Sequence, residues 1–127
     1  MNVVVLQGSL SSDPVVRVLP SGSLLMSLEV STEVQGARVG VPVAWFDPAT
    51  EPAWARGDEV VVRGVVRRRF FATPGGAQSR TEVVASEVVA ATSRRAVGAL
   101  LRRSTAELGG AGVSREGASR GRSVASA

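Results

Sequence analysis

Residues 59–91 read EVVVRGVVRRRFFATPGGAQSRTEVVASEVVAA, and no other segment constrains the architecture as tightly. From Glu59 to Ala72 the chain is rich first in valine and then in arginine, with the β-branched content of an extended strand. Gly64 interrupts the run, and a glycine inside a long strand marks a bulge or a sharp bend. Thr73-Pro74-Gly75-Gly76-Ala77 forms a hairpin tip, because proline presets one turn dihedral and glycine accepts positive φ. Arg80 to Ala91 then returns as the last strand, so the segment folds back on itself.

Upstream, Asn2 to Leu10 is a β-branched run with Val3 and Val5 on one face and Val4 and Leu6 on the other. Asp13-Pro14 starts a turn, and Val15 to Leu19 is a short strand stopped by Pro20-Ser21-Gly22. From Ser23 to Thr32, Leu24, Met26, Leu28 and Val30 share one side and Ser23, Leu25, Ser27, Glu29 and Ser31 the other, the alternation of a half-buried strand. Glu33 to Ala37 is a polar break. Arg38 to Phe46 alternates again, which places Val39, Val41, Val43 and Trp45 on one face, with Val43 and Trp45 toward the core, and turns Phe46 the opposite way. Asp47-Pro48 ends that strand, and Ala49 to Ala55 is expected to be a short helical segment before Arg56-Gly57-Asp58. Trp45 and Trp54 are both expected to be internal.

Five or six short strands with one meagre helix, all within residues 1–92, fit a small closed barrel, because closure removes the edges that valine-rich strands would otherwise offer for aggregation. The expected fold is all-β: a five-stranded Greek-key oligonucleotide-binding (OB) barrel with a short helical segment and a basic C-terminal extension. A β-sandwich needs more strands than the chain supplies.

The 127 residues include no histidine, cysteine or tyrosine. That removes the usual general base, the thiol nucleophile and the commonest nitrogen and sulfur metal ligands. Asp13, Asp47 and Asp58 sit at turns without paired spacing, so no enzyme activity, bound metal or other cofactor is expected. Charge is uneven: residues 1–92 carry 8 Arg against 9 Asp and Glu, whereas residues 93–127 carry 7 Arg against 2 Glu. The barrel is nearly neutral and must bind polyanions, if at all, through local patches.

Within the tail, RRAVGALLRRSTAEL (residues 94–108) places Val97, Leu100, Leu101 and Leu108 at helical spacing. Residues 93–108 are thus expected to form a basic amphipathic helix, packed on its own barrel, on a neighbouring subunit or against nucleic acid. Residues 109–127 hold too few apolar side chains to offset an ordering entropy of roughly 1–2 kcal/mol per residue, and are expected to be a disordered basic tail. Met1 to Leu10 lacks a basic leader and no later apolar run is long enough to span a bilayer, so no membrane association and a cytoplasmic location are expected.

The concentrated feature is Arg67-Arg68-Arg69-Phe70-Phe71, beside the glycine hairpin. Guanidinium groups hold phosphates, and a ring stacks on an unpaired base for about 1–3 kcal/mol whatever the sequence. Phe46 adds a second outward ring on another strand. Arg17 is either a further phosphate contact or the partner of a carboxylate.

In this order the motifs resemble the bacterial single-stranded DNA-binding protein family. The resemblance rests on Met1-Asn2-Val3-Val4-Val5-Leu6-Gln7-Gly8-Ser9-Leu10, Asp13-Pro14-Val15-Val16-Arg17, Pro20-Ser21-Gly22 and Val43-Ala44-Trp45-Phe46. It continues through Gly57-Asp58-Glu59-Val60 and Gly64, the arginine–phenylalanine run, and Thr81-Glu82-Val83-Val84-Ala85, and so covers residues 1–92. It implies an OB fold, base stacking at Phe46 and Phe71, the latter on a family tryptophan position, and strand-side basic contacts at Arg67 and Arg69.

This chain departs from the family pattern at several positions. Two further family tryptophans are absent, Gly40 standing near where one would be, and Asp47-Pro48 replaces a lysine. The sequence ends Arg122-Ser123-Val124-Ala125-Ser126-Ala127 instead of in an acidic, phenylalanine-tipped tail, so recruitment of other proteins through such a tail is not expected. The resemblance is that of an accessory or paralogous member.

The expected function is sequence-independent binding and protection of single-stranded DNA in replication, recombination or repair, by a cytoplasmic, nucleoid-associated homo-oligomer, a tetramer or dimer. The candidate DNA-binding residues are Phe46, Phe71, Arg67, Arg69, Arg17 and Arg68. The alternative is an OB-fold, primosome-like protein-interaction module whose DNA binding is weak or lost.

Overall fold

The computed structural model describes residues 1–118, with side chains through Gly109. Six strands, β1 (Val4–Leu10), β2 (Val15–Val18), β3 (Leu24–Val34), β4 (Ala37–Phe46), β5 (Glu59–Thr73) and β6 (Gly76–Ala90), precede one helix, α1 (Arg94–Ala118). The protein is all-β apart from that helix. β1 pairs with β5, β5 with β6, β6 with β4, β4 with β3, and β3 with β1, so five strands close a ring. Every pairing is antiparallel except β4 with β6. β2 lies against residues Leu24–Ser27 of β3, and β1 meets the same edge farther along at Val30 and Ser31.

Alternation in the sequence translates directly into the core. Met26, Leu28 and Val30 of β3 are buried with Val43 of β4, Val60 and Val62 of β5, and Leu10 at the end of β1. Each fully buried aliphatic side chain of this size contributes about 1.5–3 kcal/mol relative to exposure. Val4 and Leu6 pack on this cluster while Val5 stays exposed, as the face assignment of β1 requires. The expected polar break at Glu33–Ala37 is narrower than the sequence indicates. Val34 pairs with Ala37, and Gln35 and Gly36, both at positive φ, make a two-residue turn.

The helical segment expected at Ala49–Ala55 is absent; those residues are irregular. Pro48 and Pro52 remove backbone donors, and at the end of the segment two N–H groups find carboxylates instead of helical carbonyls. The Ala55 N–H donates to Asp58 Oδ2 at 3.0 Å and the Arg56 N–H to Asp13 Oδ1 at 2.8 Å. Trp54 from this segment stacks on Trp45, ring centroids 6.2 Å apart, and both pack against the core as expected.

The helix expected near residues 93–108 is present and continues to Ala118; the remainder of the segment expected to be disordered, 119–127, lies outside the described residues. α1 packs on β5 and β6, burying Leu100 and, one turn on, Ser104. Two carboxylates fix it. Glu107 Oε1 accepts from Arg63 Nη1 at 2.8 Å, and Glu87 accepts from Arg63 Nε at 3.0 Å and Arg103 Nε at 2.7 Å. Among the described residues no helix is long and apolar enough to cross a membrane.

The hydrogen bond from Arg103 holds the Glu87 carboxyl below its ordinary pKa, against the opposing effect of burial and with further help from Arg63. A carboxyl whose folded pKa is depressed stabilises the fold above its unfolded pKa, and that contribution disappears as pH falls through the folded value. Acidification below the ordinary carboxylate range is therefore expected to loosen α1 before the ring opens. Amide hydrogen exchange along α1, followed from pH 7 downward, checks this. Glu87→Gln, already weakened at neutral pH, should lose the acid-dependent step, and an identical acid response in both proteins would refute the link.

Candidate functional site

Outer-face residues of four ring strands and β2 line a groove of about 340 Å³. Its position follows from strand parity. Where Met26, Leu28 and Val43 point inward, their neighbours Leu25, Ser27, Glu29, Pro42, Ala44 and Phe46 point outward. Cross-strand register then assembles rows: Arg17 of β2 lies beside Leu25 of β3, and Leu25 beside Phe46 of β4.

A bulge brings β6 into the same surface. Arg63 pairs with Glu87 but Gly64 pairs with Ala85, so Ser86 has no partner and its hydroxyl donates to the Arg63 carbonyl at 3.0 Å. Beyond it, Val83 and Ala85 face the core while Glu82 and Arg80 face the groove. Opposite them on β5 stand Arg67, paired with Glu82, and Arg69, paired with Arg80. The hairpin then runs past the ring, with Phe71 two residues after Arg69 on the same face.

The rings and guanidinium groups are in contact. Arg67 Cζ lies 5.8 Å from the Phe46 ring centroid, and Arg69 Cζ lies 5.6 Å from that of Phe71. Both cations also reach Glu82, whose side chain is only 6% exposed: Arg67 Nη2 donates to Oε2 at 2.5 Å and Arg69 Nε lies 3.6 Å from the same oxygen. Arg80 Nη2 donates to Glu29 Oε2 at 2.8 Å. Four arginines thus share the groove with two carboxylates, and among the described residues Arg17 makes no ion pair.

Five of the six residues singled out in the sequence come together on this face: Phe46, Phe71, Arg67, Arg69 and Arg17. Phe46 and Phe71 are 37% and 38% exposed, half-open rings that the core does not absorb. Arg68 does not join them. It pairs across the hairpin with Thr81, between Val66 and Phe70, and faces the opposite side because side chains alternate. Phe70, 73% exposed, accompanies it there, so neither phenylalanine of the pair is a core residue.

Sequence reasoning did not assign Arg80, Glu29 or Glu82 to the site. Arg80 and Glu29 are 51 residues apart and meet only through the ring. Glu82 reaches the groove only because of the bulge at Ser86. Among the described residues no group of acidic side chains is placed to hold a metal ion. The chain matches no protein-family model and no curated protein.

Proposed function

We propose that this protein binds single-stranded DNA in a sequence-tolerant way, without catalysis, in replication, recombination or repair. The observation that carries the reading is a groove lined by Phe46 and four arginines, with Phe71 beyond it on the same face and Arg67 and Arg69 each beside one of the two half-exposed rings. Stacking on two rings supplies about 2–6 kcal/mol, and arginines placed beside them meet the phosphates that link the stacked bases.

The fold supports the same reading. A closed five-strand ring built from β1, β3, β4, β5 and β6 fits an OB barrel, in which the second and third strands and the loops after the first and fourth strands bind oligonucleotides. Here those elements are β3 and β4, the connection that carries Arg17, and the hairpin that carries Arg69 and Phe71. Stacking of this size in one groove gives weak affinity, so we further propose that several copies, as a homodimer or homotetramer in the cytoplasm, share one strand.

The two carboxylates in the groove favour a second reading, a protein-docking OB module with weakened DNA binding, because they occupy three of the four arginines. Binding of oligo(dT) and of duplex at 50 and 200 mM salt, with mass measured on the same sample, separates the two. If each arginine meets one phosphate, oligo(dT) affinity falls about 50-fold per groove over that range. Equal binding of duplex, or no binding of either ligand, favours the docking module.

A further inference from the structure

We infer that Glu82 is the positioning residue that, in the absence of ligand, keeps Arg67 and Arg69 over the two rings until a phosphate replaces its carboxylate. This deepens the proposed DNA-binding reading and rests on it. Glu82 is buried beneath the two guanidinium groups, and a carboxylate so removed from water requires charged partners. The same two groups lie over Phe46 and Phe71, so each arginine bridges the one carboxylate and one ring. A nucleobase needs the ring face, and a phosphodiester needs the guanidinium. One swing of each arginine, from Glu82 to a phosphate, meets both needs.

The neighbouring pair provides a matched comparison. Glu29 also neutralises a groove arginine, Arg80, but its side chain is 43% exposed and, among the described residues, Arg80 lies over no ring. Glu29→Gln and Glu82→Gln therefore make the same change in charge, and only the second releases the arginines from the rings.

The test measures fluorescein-labelled oligo(dT) binding by the full chain between 50 and 200 mM salt, for the wild type, E82Q and E29Q. E82Q is expected to bind about tenfold more tightly than wild type, as for one charge-assisted contact no longer in competition, and at least about threefold more tightly than E29Q. If wild type binds and E82Q gains no more than E29Q, the groove responds only to net charge and the role assigned to Glu82 is wrong, while the DNA-binding reading stands. If none of the three binds, the reading itself fails and Glu82 loses its role with it.

A measurement on the wild type does not depend on how E82Q folds. Saturating oligo(dT) should shift the Nε–H resonances of Arg67 and Arg69 and the carboxylate carbon of Glu82. A Glu82 carbon that stays in place at saturation overturns the inference.

Discussion

Replacing both Phe46 and Phe71 by alanine is expected to lower oligo(dT) affinity by about 30-fold to about 20,000-fold, the equivalent of roughly 2–6 kcal/mol of lost stacking. The rings are suited to this test because each is more than a third exposed and neither belongs to the buried cluster that closes the ring. Their removal should leave the thermal unfolding midpoint nearly unchanged. The single variants should each account for part of the loss, with Arg67 and Arg69 still present to meet phosphates. Phe70→Ala is the matching control. It deletes the most exposed aromatic of the same strand from the opposite face of the hairpin, and its affinity should stay within twofold of wild type. A double variant that also stays within twofold would remove stacking from the account and leave only charge.

What the sequence made legible was whatever a period of two controls locally. The run from Met26 to Val30 announces its buried face residue by residue, and the alternation of Val41, Val43 and Trp45 turns Phe46 outward without any knowledge of the neighbouring strands, whereas Val39, on the same face but beyond the core, is exposed. The irregular segment at Ala49–Ala55 was less legible because tertiary contacts place it: Trp54 depends on Trp45 for its position, and the N–H of Arg56, just after the segment, donates to Asp13, 43 residues away. Strand ends were misjudged where a polar sequence is held extended by its partner, as at Gly76–Ser79 opposite Phe70–Thr73.

Parity failed in β6 for a definite reason. The segment Thr81-Glu82-Val83-Val84-Ala85-Ser86-Glu87-Val88-Val89 has apolar doublets on both sides of Ser86, so no alternation shows where the strand changes face. Only pairing with β5 reveals that Ser86 is extra, and only then do Glu82 and Arg80 enter the groove. The three arginines legible in the sequence that reach the groove, Arg17, Arg67 and Arg69, are therefore joined by Arg80 and by carboxylates that the sequence does not announce, and these determine how freely the arginines can meet a ligand.

Gly64→Ala should be the most damaging single-methyl change in the ring. A Cβ built at Gly64 meets the Val84 carbonyl oxygen inside any normal contact distance and the Ala85 Cα at 2.9 Å, and both are backbone atoms of β6. No side chain can move aside, so β5 and β6 must separate at the point where the register shifts. Gly8 is constrained in the same way on the other seam, where β1 crosses to β3 and a Cβ would meet the Ser31 carbonyl oxygen and Val30 Cγ1 at 2.8 Å. Overpacking against rigid backbone costs about 3 kcal/mol, a large part of the roughly 5–15 kcal/mol that stabilises a typical domain. For a chain of this size that lowers the unfolding midpoint by roughly 10–15 °C, readable by circular dichroism. Separation at this point also displaces Glu82 relative to Arg67, because both lie three pairs beyond the glycine. A midpoint within about 2 °C of wild type would mean that β6 yields at the bulge without cost, and the link from Gly64 through Ser86 to the face of the groove would have to be abandoned.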